Sequence, residues 1–320
     1  MLPNPSHVVG AVLSLSAFAV YATHDVLIKF LGSTYSPVQL IFFSGLLGFP
    51  LVTLALMRDR TDGNLIPKRP LWTAIRSAAA VLGGLAGFYA FSVLPLAQIY
   101  AIFFTMPILI TLMAIPLLGE KVGLHRGIAI CVGLLGVVVV LRPGQADLGL
   151  GHMAAFGGAI LGAAASVIVR KVGTQERAVV LMIYPMMANF VVMGLALPFV
   201  YVPVTPMHFA MMAGIAALGL VAGALAIAAY RRAPAIIVAP MQYSQIIWAI
   251  IFGHFIFGEE IDLYTGIGTA IIIAAGVYIV LREDTPDVSK NRPVLETRSR
   301  FETGAMPRIS QILRVFDRRN

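Results

Sequence analysis

Charge is scarce in this sequence. Only 12% of its 320 residues are Asp, Glu, Lys or Arg, against about a quarter in ordinary soluble domains. So few charges cannot cover a water-exposed surface, which leaves membrane as the class that fits. Cysteine is nearly absent. The single Cys131 excludes an intramolecular disulfide. It lies in an apolar run and is expected to be a small buried side chain. Catalytic signatures are missing as well: the chain has no H-E-x-x-H, no phosphate-binding P-loop and no Cys/His metal spacing. An ATP-driven pump therefore finds no support, and the expectation is a protein that is not an enzyme and uses no cofactor. The N-terminus, MLPNPSH, lacks a basic region ahead of its first apolar run, so no cleaved secretory signal is expected.

What is present is apolar length. Hydrophobic residues make up 59% of the chain, and the mean hydropathy is +0.88. A spanning helix needs about twenty mostly apolar residues. Candidate spans run over 8–30, 37–57, 72–93, 97–118, 122–141, 151–170, 179–200, 207–227, 235–257 and 262–281. The fold class expected is thus all-α integral membrane with ten transmembrane helices. Lys and Arg set the orientation. Arg58, Arg60, Lys68, Arg69, Lys121, Arg126, Arg177, Arg231 and Arg232 fall in alternate connections, and a basic tail follows the last run. Both termini are expected in the cytoplasm. The formal charge of +8 reads as a topology signal, because the basic residues are spread over loops; no nucleic-acid partner is expected.

The chain repeats itself. LPLAQIYAIFF (94–104) aligns with APAIIVAPMQY (233–243), placing Pro95 on Pro234. At the same offset Gly119-Glu120 meets Gly258-Glu259, and Gly127 meets Gly266. Lys29 and Gly32 align with Arg170 and Gly173 at nearly that offset. Each copy holds five candidate spans, an odd number, so the second copy enters the membrane inverted. The division expected is 8–141 and 151–282, followed by a basic cytoplasmic tail, 283–320. Inverted repeats are characteristic of secondary transporters, whose halves rock about a central site.

With its ten spans, a Pro before the fourth span of each copy and a Gly-Glu after it, the chain resembles the drug/metabolite transporter superfamily, specifically its EamA-type members. The resemblance covers about residues 8–282. It implies a basket of ten helices in a bacterial inner membrane, around a central cavity lined mainly by the first, third and fourth helices of each repeat. The second Gly-Glu is followed by Glu260 where the first is followed by Lys121.

The polar residues inside the spans are then the candidates for substrate contact. The stretch YATHDVLIKF (21–30) puts His24, Asp25 and Lys29 near the end of the first span. Asp25 and Lys29 are spaced i, i+4 and are expected to pair. Lys29 is otherwise expected to reach the headgroups. For Asp25 and His24 two readings stand: a structural pair, or a carboxylate and imidazole on the substrate or proton path. Tyr100 and Phe104 lie in the fourth span, and Gln242, Tyr243, Gln245 and Trp248 in the ninth, its repeat partner, with Phe104 aligned on Tyr243. An amide pair flanked by aromatics suits a planar polar solute, or else bonds neighbouring helices together. Glu120 and Glu259 are expected to cap the helix that follows each of them. His254 is placed at the interface, and the pairs Gly83/Gly87, Gly158/Gly162 and Gly219/Gly223 are read as helix-packing sites.

The partners expected are a small-molecule substrate and the lipid bilayer; oligomeric state is not legible. The family branch resembled includes riboflavin importers and S-adenosylmethionine carriers. Gln242 and Gln245 match a flavin's pyrimidine edge, and the aromatic residues offer stacking surface. A cationic substrate would want a carboxylate that Lys29 has not already matched. On that reasoning riboflavin uptake stands first, with an amino acid, an amine or S-adenosylmethionine second. The tail's last stretch, MPRISQILRVFDRRN, reads either as an amphipathic helix on anionic lipid or as a solvated basic segment.

Overall fold

A computed structural model describes residues 5–56, 65–119, 124–142, 148–172, 175–233, 238–260 and 262–283. Glu120 and the tail from residue 284 lie outside the described residues, as do the expectations attached to them. The described residues form helices and no strand, as a chain in hydrocarbon must when each N–H and C=O has to be satisfied internally.

The helices are α1 (Pro5–Gly32), α2 (Pro37–Leu56), α3 (Pro70–Val93), α4 (Leu96–Phe103), α5 (Met106–Leu118) and α6 (Leu124–Leu141). They continue with α7 (Leu150–Val172), α8 (Ala178–Ala196), α9 (Pro206–Arg232), α10 (Gln245–Phe257) and α11 (Leu263–Glu283). A 3₁₀ segment, Ala239–Ser244, runs into α10. Helix starts follow the local chemistry. Proline, whose missing N–H costs nothing in the first turn, opens α2, α3 and α9, and the Thr205 hydroxyl caps α9 by accepting from His208 N–H at 3.3 Å. Gly119 and Gly258 both close their helices in the left-handed region, at φ 70° and 65°, where a Cβ would be strained.

Among the described residues six helical stretches are long and apolar enough to cross a membrane, and three shorter apolar helices accompany them. Outside its apolar core the described part also exposes large apolar side chains. Phe199 is 87% exposed and Phe255 81%, while Gln39 and Thr105 are fully buried and Asp25 nearly so. An outer coat of large apolar side chains suits lipid.

Three helix pairs pack most extensively: α1 against α9, α3 against α7, and α6 against α11. Small residues let the backbones approach. Gly10 lies against Ala233 and the Ala229 carbonyl, Gly151 against Val93 and Leu94, and Gly268 against Val140 and the Gly136 carbonyl. The centre is α4 and the start of α5; every residue from Ile99 to Thr111 is buried. Cys131, expected inside, is exposed on α6 instead.

The expected fourth span, 97–118, is not one uninterrupted helix. It breaks at Phe104–Thr105. Pro107 has no N–H to give the Phe103 carbonyl, and Thr105 tightens the turn, its N–H and its hydroxyl both donating to Ile102 O at 3.1 and 2.6 Å. The ninth candidate span changes geometry at the matching place, from 3₁₀ to α at Ser244–Gln245.

Candidate functional site

The site begins on α1. Asp25 is 2% exposed. Its Oδ2 accepts from the Tyr100 hydroxyl of α4 at 2.5 Å, and its Oδ1 lies 2.8 Å from His24 Nδ1. A buried carboxylate needs such partners, since removing one leaves a desolvated charge. The His24 ring reaches toward α9, where a Cβ on Gly219 would lie 3.7 Å from its Cδ2. Gly219, read from the sequence as packing alone, thus borders the imidazole as well.

From Tyr100 a line of rings crosses the molecule. Tyr100 stacks on Phe104 at 6.2 Å between centroids and 24°. Phe91 of α3 meets Tyr100 edge-on at 6.0 Å. Phe104 meets Tyr243 edge-on at 4.9 Å and 80°. Such offset and edge-on contacts are the favoured ones for aromatic quadrupoles. Tyr243 ends the line against α11: a Cβ on Gly276 would fall 1.9 Å from its hydroxyl oxygen. Phe104 and Tyr243 each sit at the break in their own helix, so the two breaks touch.

The structure therefore joins His24, Asp25 and Tyr100 by hydrogen bonds, and Tyr100, Phe104 and Tyr243 by ring contacts. Gln245 is buried beside them in α10, and its Nε2 finds no partner among the described residues. Gln242 is half-buried. Trp248 stacks on Phe252 at 5.8 Å rather than on the Tyr243 line. His254 is exposed against Phe255, as an interfacial residue should be.

Lys29 departs from its expected place. Its ammonium does not pair with Asp25 and does not reach outward. It lies 2.8 Å from Glu259 Oε1 and donates to Leu94 O at 2.5 Å, with the side chain 12% exposed. The Phe257 ring lies beneath it at 5.3 Å. Glu259 departs too. It was expected to cap the helix that follows it, but its Oε2 accepts from Leu96 N–H at 2.9 Å, the first turn of α4. The cap on the following helix, α11, is Asp262, which accepts from Tyr264 N–H, Thr265 N–H and the Thr265 hydroxyl at 3.3, 3.1 and 3.0 Å. Arg142 Nη2 meets the same carboxylate at 2.7 Å. Sequence reasoning noticed Glu259 through the repeated Gly-Glu, but linear spacing had no means of bringing it to Lys29. Gly276 gave no sequence signal.

The same face of the bundle also holds Tyr35, whose hydroxyl lies 2.8 Å from His208 Nδ1, and Gln39, which bonds both the N–H and the carbonyl of Val202. At the opposite face Glu176 accepts from Arg69 N–H, and Lys171 donates to Leu117 O at 2.8 Å over the Trp72 ring. Among the described residues no group of His, Cys, Asp and Glu could hold a metal ion.

The protein-family model described as the EamA-like transporter family matches residues 8–142 and again residues 149–282. An S-adenosylmethionine uptake transporter of Rickettsia bellii is 24% identical over 82% of this chain and 90% of its own length. A riboflavin transporter of Vibrio cholerae is 26% identical over 65% of this chain and 70% of its own. A solved crystal structure, 16% identical, superposes with a TM-score of 0.57 over 86% of this chain and 96% of that one.

Proposed function

Because the chain belongs to the EamA-like transporter family, we propose that it is a secondary active transporter that carries a small metabolite across a bacterial inner membrane by alternating access. The reading takes 8–141 and 151–282 as two inverted five-helix repeats, ten spans in all, with both termini in the cytoplasm. Three observations support it. The left-handed closures at Gly119 and Gly258 are 139 positions apart and alike. The helix break at 104–105 and the 3₁₀-to-α change at 244–245 fall within one position of the repeat offset. The residues at those breaks, Phe104 and Tyr243, touch, as equivalent residues do beside a two-fold axis. Broken helices near the midplane mark the binding site in inverted-repeat transporters.

The substrate is a small molecule bearing positive charge, with S-adenosylmethionine as its type. One observation carries this: the Asp25 carboxylate is buried at the head of the ring line, accepting from the Tyr100 phenol and lying beside the His24 imidazole, while Lys29 lies against Glu259 and not against Asp25. Asp25, with His24 and Tyr100, takes the cation, while Phe104, Tyr243 and Trp248 give apolar and stacking surface and Gln242 and Gln245 give amide contacts. The names of the Rickettsia relatives agree with this choice. Riboflavin is the second reading, favoured by the ring line and by relatives named riboflavin transporters.

The test is uptake of labelled S-adenosylmethionine and of riboflavin into nucleotide-free vesicles. Saturable S-adenosylmethionine uptake is expected. Asp25→Asn, present in the membrane in normal amount, is expected to lose it about tenfold or more, the worth of one charged hydrogen bond. Riboflavin uptake that survives Asp25→Asn would favour the second reading.

A further inference from the structure

The two helix junctions carry different side chains. At the repeat offset Phe104, Thr105 and Met106 align on Tyr243, Ser244 and Gln245. Met106 opens α5 and Gln245 opens α10, and both are buried. The first junction is satisfied within itself. Phe104 is apolar, Met106 has only a thioether, and the Thr105 hydroxyl donates to Ile102 O. The second junction differs. Gln245 is 4% exposed, and its Nε2 finds no partner among the described residues. An unpaired amide inside a protein is costly, and buried polar groups are seldom left so. Met106 shows that the junction is built equally well without one. The amide of Gln245 is therefore not required by the fold, which points to a ligand as its partner.

The neighbours of α10 fix where that amide faces. The buried residues of α10 are Gln245, Ala249 and Gly253, a single stripe at i, i+4 and i+8. Gly253 ends the stripe against the Glu259 carboxylate, which meets Lys29 of α1 and Leu96 N–H of α4. The stripe thus faces the two helices that hold Asp25 and Tyr100. α1 and α10 run in the same direction: the Ser14 hydroxyl of α1 donates to Val238 O, ahead of α10, and Lys29 lies over the Phe257 ring at its end. Measured back from that common level at 1.5 Å per residue, Asp25 is about 6 Å away and Gln245 about 18 Å. The amide and the carboxylate are thus separated by about 12 Å along the bundle. The rings of Tyr100, Phe104 and Tyr243 run between them.

We infer that Gln245 reads an uncharged planar edge of the substrate, one with a hydrogen-bond donor beside an acceptor, as on an aminopurine, and that this edge lies about 12 Å from the substrate's charged end. A primary amide presents a donor and an acceptor in one plane. It pairs with such an edge at two points, as glutamine does with adenine. The inference rests on the cationic-substrate reading for the charged end at Asp25, and adds the far end and the length. That length selects within the class. A free amino acid or a simple amine is too short to touch both Asp25 and Gln245. A nucleoside bearing a cationic chain spans them, with its ring system alongside the aromatic line. Gln245 is thus a specificity-determining residue, and the first repeat's Met106 marks the side of the bundle that does not read the substrate.

The experiment measures binding to purified protein by ligand-dependent thermal stabilisation. S-adenosylmethionine is the probe with both ends, and S-methylmethionine is a sulfonium amino acid without the base. Gln245→Met installs the first repeat's residue. It is expected to weaken S-adenosylmethionine about tenfold, the worth of one or two hydrogen bonds, and to leave the weaker S-methylmethionine binding unchanged. Without ligand the variant is expected to melt no lower than wild type, since it loses only an unpaired buried amide. Gln245→Leu is the second variant, with the same expectations, in case methionine packs badly. If both ligand-free variants melt well below wild type, the amide is bonded within the protein and the inference is overturned. If the variants weaken both probes alike or neither, the inference is overturned while the cationic reading stands. If the wild type binds neither probe, the cationic reading falls, and Gln245 is judged on riboflavin, whose pyrimidine edge also sets donor beside acceptor. Weaker riboflavin binding in Gln245→Met then keeps the amide's role, and unchanged or absent binding overturns it.

Discussion

At the scale of single residues, three of the carboxylates described above have three different tasks. Asp25 is held deep by a phenol and an imidazole. Glu259 is a tie between helices. Asp262 is a surface cap, and it gives the clearest pH dependence. Partial burial pushes its carboxyl up, but hydrogen bonds from Thr265 and Tyr264 and the Arg142 guanidinium outweigh that and hold it below the ordinary value. A carboxyl held low in the folded state adds stability above the unfolded pKa and loses it as pH falls through the folded one. Asp262→Asn keeps the cap and removes the charge. Wild type is therefore expected to be more stable than Asp262→Asn at pH 7, by about 1 kcal/mol or less because the pair is solvent-screened. The gap should close as pH drops below about 4. Thermal unfolding of both proteins across that range is the measurement, and a gap that persists at acid pH would contradict the assignment.

At the scale of helices, the two breaks are the features that set the centre. Tyr243 stands between Phe104 and Gly276, and its hydroxyl is pressed against the α11 backbone. Gly276→Ala is expected to cost about 1–3 kcal/mol by overpacking. Adding Tyr243→Phe should recover part of that cost, since the hydroxyl is the closest atom and the ring carbon behind it lies at 3.0 Å. Unfolding of the single and double variants checks this, and strictly additive losses would mean the two residues do not meet. The helices themselves were legible from apolar length: runs expected at 72–93, 151–170 and 207–227 are helices at Pro70–Val93, Leu150–Val172 and Pro206–Arg232. The break inside 97–118 was not, because hydropathy is blind to hydrogen-bond registry; Thr105 and Pro107 were the only hints. Among the site residues, His24 and Asp25 stood side by side in the sequence, but the Tyr100 hydroxyl that reaches Asp25 from another helix was not foreseen, and the partner of Lys29 was misassigned. The i, i+4 rule weighs only neighbours on one helix, and a carboxylate 230 positions further on, delivered by the fold, prevailed. Trp248 was grouped with Tyr243 by closeness in sequence, but its ring is spent on Phe252.

At the scale of the whole molecule, topology is the matter to test. Reporter fusions after Gly144 are expected to read outside, and fusions after Thr174 or Glu283 inside, from the distribution of Lys and Arg. A C-terminal fusion that reads outside would sink the inverted five-plus-five arrangement. The packing also has an aspect in time. α1 finds its main partner in α9, and between Gly32 and Pro206 roughly 170 residues must be synthesised. At 5–20 residues per second that is about 10–30 s. Throughout that interval the ribosome has delivered Asp25 and His24 to the membrane, but the Gly219 wall beside the imidazole does not yet exist. The earliest-made helix of the chain is thus among the last to be completed, and the cell must shelter a polar nascent segment until its far neighbour arrives.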